Sequence, residues 1–377
     1  MSKTVCANCI YEKGLTKFIS KNTEKGYCDY CGQKYESPSV VDFDHLAEHM
    51  AERIWSQWDD AANQLGWNSR EMGGFIGEHY DTYDLLWELN ISIEEEELRR
   101  DLIEYLGDRS WCRIEGYSMS YSESQISGWQ RFSETIKHKT RYMFHAIEED
   151  DELYPDEIPI KAVLSQVIHA IQTIKLRTWT PGKFIYRTRI DKKRRFSKAD
   201  ELASPPTEYA NYSNRMSPAG IPMFYGAFDE ETTIRETVGD SKRAGIASIG
   251  RFEVIKPMHI LNLSGIAEVP SLFDPDSNNV KREITIFLRE FVEDLSKPIE
   301  KDGREHIKYI PTQVFTEYIR HITRMKSDER IMGIVYPSSV HEEHSSCVLF
   351  LENEDCRGGE EAWLKLDSVE HIKLPLS

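Results

Sequence analysis

Apolar and polar positions alternate along the chain with two different periods, and the change from one to the other falls near residue 180. After Asp42-Phe43-Asp44-His45-Leu46, the residues Ala47, Ile54, Trp55 and Trp58 recur at helical spacing. Further helical stretches are predicted over Tyr83–Leu89, Glu94–Leu106 and Ile126–His145. The acidic run Glu94–Glu97 suits a helix start, where carboxylates meet the positive end of the dipole. Asp150–Pro159 is acidic, holds two prolines and reads as a loop. Helical spacing returns over Lys161–Leu176, with Val163, Val167, Ile168, Ile171 and Ile174 on one side.

Thr180-Pro181-Gly182 ends that helix. Short apolar runs then predict strands at Lys183–Arg187, Met223–Tyr225, Ile246–Val254, Met258–Asn262, Ile331–Tyr336 and Cys347–Leu351. Helices are predicted at Thr232–Val238, Ile284–Leu295 and Thr312–Met325. Strands and helices mix without a regular βαβ rhythm, so the expected class is α+β. No internal repeat and no low-complexity tract is present.

Composition narrows the function classes. A 40% hydrophobic fraction over 377 residues supplies packed cores for two domains and a small module. With 64 acidic against 47 basic residues, the net charge of −17 repels polyanions, which weighs against nucleic acid as the main partner. The basic tract Lys192-Lys193-Arg194-Arg195 is then a solvated loop rather than a nucleic-acid patch. No apolar run approaches the roughly 20 residues of a membrane span, and the N-terminus lacks an apolar signal core. Seven cysteines, an odd number, suit a reducing compartment. These features predict a cytoplasmic chain with no membrane partner.

Four of those cysteines form two CxxC knuckles, Cys6-x-x-Cys9 and Cys28-x-x-Cys31, the second followed by Gly32. Each knuckle sets two thiolates on one tight turn, and two knuckles complete a tetrahedral zinc site. Four thiolates leave no open position, so the zinc is expected to be structural, within a ribbon over residues 1–38. Cys112, Cys347 and Cys356 read as unpaired thiols.

On the predicted helix that follows, Arg131 and His138 are separated by six residues. This R-x6-H spacing resembles the signature of HEPN ribonucleases, helical proteins in which Arg and His cleave RNA at a dimer interface. Charged helices produce such spacing often, and Arg141 with His145 forms a similar, closer pair.

Beyond residue 180, polar residues sit beside apolar strands, where open sheets gather their chemistry. In order along the chain come Tyr186-Arg187, Pro205-Pro206, and Asn214-Arg215-Met216-Ser217-Pro218-Ala219-Gly220-Ile221. Phe224-Tyr225, Thr232-Thr233-Ile234-Arg235-Glu236 and Tyr336-Pro337-Ser338-Ser339 follow. This order resembles the RES domain, over about residues 180 to 355. The family is named for Arg, Glu and Ser and is best known for Xre–RES toxins that deplete NAD. The region before it resembles the HEPN/RES N-terminal domain.

The resemblance implies a fold like that of ADP-ribosyltransferase toxins and a three-part chain: zinc ribbon 1–38, helical domain 39–178 and RES domain 179–377. It implies catalytic roles for Arg187, Tyr225, Glu236 and Ser338, with Ser339 in place of Ser338 if the register shifts by one. Arg215 and Tyr186 would bind substrate. NAD would be the substrate, cleaved at the nicotinamide–ribose bond by a glycohydrolase or phosphorylase. An antitoxin or regulatory protein and a second copy of the chain are the partners it implies.

The residue types agree with that chemistry. Cleavage of the N-glycosidic bond passes through an oxocarbenium-like state, which a carboxylate stabilises. Nicotinamide leaves from a cationic ring, so a single carboxylate such as Glu236 suffices. An aromatic face such as Tyr225 can stack on the ring, and a guanidinium fork suits the pyrophosphate. No GxGxxG fingerprint or P-loop is present, which fits NAD as substrate rather than resident cofactor. Protein ADP-ribosylation, the HEPN-type ribonuclease, and a zinc-ribbon regulator with an inactive RES domain are the alternatives.

Overall fold

The computed structural model describes residues 3–69, 73–114, 118–147, 156–238, 245–299, 302–325 and 329–374. The acidic segment Asp150–Pro159 lies outside these residues up to position 155, and 156–159 are neither helix nor strand. The chain divides into two compact units that are discontinuous in sequence, Met1–Glu123 with Glu268–Ile286, and Ser124–Ala267 with Phe287–Ser377.

In the first unit, strand Thr4–Cys6 pairs antiparallel with Val40–Asp42, which brings the two ends of the cysteine segment together. Helix Lys13–Lys21 follows; Glu12 caps it by accepting from the backbone N–H groups of Gly14 and Leu15. Helix Phe43–Trp55 is capped by Asp42. Trp58, assigned to that helix by its spacing, instead opens strand Trp58–Asp60, which pairs with Ser110–Arg113. The core runs through Val5, Ile10, Leu15, Leu46, Met50, Leu98 and Leu102.

Segment 268–286 joins this core from far along the sequence. Phe273 is buried in it, and the Phe273 carbonyl lies 2.9 Å from Nε2 of buried His49. Lys17 and Lys21 pair with Asp274 and Asp276. Burying a phenylalanine is worth about 1.5–3 kcal/mol, against ~1 kcal/mol at most for an exposed ion pair, so Phe273 is the stronger anchor. Gly14 permits the approach: a Cβ there would fall 2.6 Å from the backbone of Phe273 and Asp274. Gly14→Ala is therefore expected to cost at least the ~1–3 kcal/mol of core overpacking, read as a lower denaturation midpoint; an unchanged midpoint would contradict this packing.

The second unit is built on a sheet whose strands we number in chain order: β1 (Arg177–Trp179), β2 (Phe184–Asp191), β3 (Phe224–Ala227), β4 (Gly245–Val254), β5 (Met258–Asn262), β6 (Gly333–Pro337), β7 (Ser345–Leu349) and β8 (Leu364–Leu374). Among the described residues their order is β1-β5-β6-β7-β3-β2-β4-β8, antiparallel except for the parallel pair β5–β6. Strand β8, with charged residues at many positions, has no counterpart in the sequence prediction. It adds an edge to β4. One core gathers Ile185, Phe224, Phe252, Ile260 and Leu349. Trp129, Phe291 and Phe315 pack with ring centroids 4.9 and 5.1 Å apart, and Trp129 Nε1 donates to Asp294 at 2.8 Å. The α+β class read from the sequence is the class observed.

Candidate active site

A cleft of about 540 Å³ opens on the second unit, lined among others by Arg187, Arg215, Tyr225, Glu236 and Ser339. Residues scattered over 150 positions meet here because β2, β3, β7 and β6 are neighbours in the sheet. Helix Glu230–Val238 lies close to β2, β3 and β7.

Glu236 is held by two hydroxyls. Ser338 Oγ donates to its Oε1 at 2.7 Å, and Ser346 Oγ donates to the same oxygen at 2.8 Å. Ser338 Oγ in turn accepts from the backbone N–H groups of Val340 and His341, which fixes its proton toward Glu236. Ser338 thus meets the glutamate directly, while Ser339 lines the cleft. Ser346 has no place in the sequence prediction, whose strand begins one residue later, at Cys347. The available signal was a serine pair leading into an apolar run, which β7 in fact includes. Tyr336 is a second omission. It lines the same cleft, and burial together with the nearby Glu236 raises its phenol well above the ordinary range.

Arg187 Nη1 donates to the carbonyl of Tyr225 at 2.7 Å, and its guanidinium lies 5.2 Å from the Phe224 ring centroid. Burial lowers its pKa to about 9, which leaves it cationic at neutral pH. Its Nε is buried and has no hydrogen-bond partner among the described residues. A buried donor left this way costs about 1–3 kcal/mol. Tyr225 is anchored through its hydroxyl, 2.9 Å from Ser217 Oγ and accepting from Met216 N–H at 3.3 Å. Burial pushes it up to about 12, so it stays a neutral phenol.

Arg215 is engaged otherwise. Its guanidinium donates to the carbonyls of Leu295 at 2.7 Å and Lys297 at 2.9 Å, and to Ser339 Oγ at 3.5 Å. Those carbonyls close helix Asn279–Ser296, so Arg215 ties the central loop to a helix end while lining the cleft.

Tyr186 does not join the cleft lining. Strand alternation turns it to the other face of β2 from Arg187, where its register partner on β4 is Arg251. The residues of the ribonuclease pair have other partners within the chain. Arg131 pairs with Glu157 at 3.3 Å and His138 with Glu134 at 3.7 Å. With six residues between them on the helix, the two lie about 10 Å apart along its axis. Arg194, in the basic tract, pairs with Glu201 at 2.5 Å.

In the first unit the four knuckle cysteines converge. Sγ–Sγ distances are 3.6 Å for Cys6–Cys9, 3.7 Å for Cys6–Cys31 and 3.6 Å for Cys9–Cys28. Four sulfurs about 2.3 Å from a central zinc stand about 3.8 Å apart in a tetrahedron, so the cluster fits a zinc ribbon. Gly32, at φ 76°, makes the second knuckle's turn, with its N–H donating to the Cys28 carbonyl at 3.0 Å.

An α+β unit with Arg, Glu and Ser converging on one cleft defines a RES-type protein. The RES domain family matches residues 185–376, half of the chain, and the chain belongs to that family. HEPN/RES N-terminal domain 1 matches residues 21–150. Membership carries an NAD-related, toxin-like function at the level of the family. No curated protein and no solved structure matches the chain. Among the described residues no helix is long and apolar enough to cross a membrane.

Proposed function

We propose that the chain cleaves the nicotinamide–ribose bond of NAD, as a glycohydrolase or phosphorylase. The observation that carries this reading is Glu236, presented to the cleft with Oε1 held by Ser338 and Ser346. Among the described residues no hydrogen bond engages Oε2, which is free to face a developing cation. The volume of about 540 Å³ falls within the ~300–1,000 Å³ range of small-ligand sites.

In this mechanism the C1′–N bond breaks and its electron pair returns to the nicotinamide ring, neutralising it. Positive charge develops at C1′, and the Glu236 carboxylate stabilises it. Water or phosphate then attacks C1′ and, when water is the acceptor, its proton passes to the carboxylate or to solvent. Arg187, which lines the cleft and stays cationic, holds the pyrophosphate or the carboxamide through its guanidinium. Tyr225, neutral and anchored at its hydroxyl, offers its ring as a wall for the nicotinamide. Arg215 positions the loop 214–217 that carries Tyr225's anchors. We retain residues 1–38, 39–178 and 179–377 as the proposed modules of this enzyme, distinct from its compact units.

Purified protein incubated with NAD is expected to release nicotinamide. ADP-ribose as co-product identifies water as acceptor, and ADP-ribose-1″-phosphate identifies phosphate. Absence of nicotinamide release under both conditions would overturn the proposal. Ser346→Ala removes a hydrogen bond to a charged group worth about 1.5–3 kcal/mol and is expected to lower kcat about tenfold or more. KM should change little, because Ser346 orients the carboxylate rather than gripping substrate. A rise in KM alone would reassign it to binding.

A further inference from the structure

The cleft extends beyond the residues placed around the nicotinamide. Strand alternation sets Arg189 on the same face of β2 as Arg187, with Cα atoms about 6.6 Å apart, and both arginines line the cleft. Each guanidinium is held by a carbonyl: Arg187 by that of Tyr225 at 2.7 Å, Arg189 by that of Ala203 at 3.0 Å. Burial lowers the pKa of both, and the neighbouring Arg189 charge lowers Arg187 further. Glu201, the acid that acts on Arg189, is itself engaged by Arg194 and by the backbone N–H groups of Ser197 and Lys198. Two part-buried cations that repel each other and donate to neutral oxygens favour a ligand with two negative charges. The planar guanidinium fork suits phosphoryl oxygens.

The step from Arg187 to Arg189 leads from a contact with β3 to a contact with a loop. Ala203, the acceptor for Arg189, opens segment 204–214, which returns to the cleft with Pro205, Tyr209 and Tyr212. The two tyrosines are 68% and 83% exposed, yet the backbone that carries them is fixed. Ser204 Oγ donates to the Leu351 carbonyl at 2.7 Å, and Gly220 N–H donates to the carbonyl of buried Ala210 at 2.7 Å. Gln313 Nε2 donates to the Asn214 carbonyl at 2.8 Å. Two aromatic rings left in water on an anchored backbone form a platform for a flat base, because little ordering of the chain remains to oppose stacking.

We propose that Arg187, Arg189, Tyr209 and Tyr212 bind a nucleoside diphosphate, with the diphosphate on the two guanidinium groups and the base on the tyrosines. Within the proposed function, on which the assignment to substrate rests, this ligand is the ADP half of NAD. Arg187 then holds the pyrophosphate rather than the carboxamide. The chain would also distinguish NAD from nicotinamide mononucleotide, which has one phosphate and no second base. Binding of the diphosphate itself requires no turnover.

The test is calorimetric titration of full-length protein with ADP, AMP and inorganic pyrophosphate, none of which holds the bond that is cleaved. Wild type is expected to bind ADP at least about tenfold tighter than AMP, the effect of one further charge-assisted contact. Arg189→Gln is expected to weaken both ADP and pyrophosphate about tenfold or more. Tyr209→Ala/Tyr212→Ala, at exposed positions, is expected to weaken ADP about fivefold or more and to leave pyrophosphate unchanged. No binding of ADP to wild type, equal affinity for ADP and AMP, or an unchanged ADP affinity in either variant overturns the proposal. Should Arg189→Gln fail to fold, the comparison of ADP with AMP in wild type decides the diphosphate half. A protein that shows these differences yet leaves NAD intact would sink the proposed function alone. One that cleaves NAD without them would sink this assignment alone.

Discussion

Glu236→Gln is expected to lower turnover of NAD by about 10²–10⁴-fold, the range associated with loss of a positioned acid–base or charge-stabilising group. The amide keeps an oxygen where Oε1 stands, so the hydroxyls of Ser338 and Ser346 retain their acceptor and the local structure persists. What disappears is the negative charge opposite C1′. Because that charge matters most once the oxocarbenium develops, kcat should fall while KM stays within a few-fold. Nicotinamide release with purified variant and wild type, side by side, measures this. Wild-type turnover in the variant would remove Glu236 from the chemistry. Arg131→Ala is the contrasting control: its partner is Glu157, and NAD turnover should not change.

The second large effect concerns the knuckles. Cys28→Ser is expected to abolish high-affinity zinc binding and to destabilise the first compact unit by more than about 4 kcal/mol, as losses of structural metals do. Cys6, Cys9 and Cys28 belong to the same buried cluster as Val5, Ile10 and Leu15, so the ligand set is continuous with that unit's core. Removing the ion would leave the buried thiolates of Cys6, Cys9 and Cys28, each 3.6 Å from the next, without the cation that balances them, so they must take up protons or separate. Zinc content per chain and thermal unfolding before and after chelation report the two halves of the prediction. Unfolding that is indifferent to both the chelator and the substitution would show that the cluster is only a group of reduced cysteines.

Elements with a clear period were legible in the sequence, and those stabilised by partners were not. Met258–Asn262 coincides with the predicted strand because its apolar residues form a short run bounded by turns. Helix Phe43–Trp55 was expected too, but its end was not. Trp58 continues the helical spacing, yet it is recruited into a strand by Ser110–Arg113, some fifty residues away. Strand β8 was invisible for a related reason. Its charged side chains face solvent at an edge, and only pairing with β4 makes it a strand. Helix Lys13–Lys21 has no counterpart in the sequence prediction, which placed the segment within the zinc ribbon and assigned it no helix. Its buried stripe, Leu15, Phe18 and Ile19, gains its value from the core it meets.

The site divides the same way. Arg187, Tyr225, Glu236 and Ser338 could be named from motif order, because their residue types and succession are written in the chain. So could the four cysteines, since a CxxC turn is local chemistry and two of them specify one tetrahedron. Tertiary structure alone decided that Ser346 shares Glu236 with Ser338, that Arg215 binds a helix end, and that Tyr186 faces away from Arg187. It alone brought Tyr209 and Tyr212 into one cleft with Arg189. The reason is physical: residue type and local spacing are properties of short segments. Which hydroxyl reaches which carboxylate depends instead on strand order and register, and these are set by how the whole sheet packs.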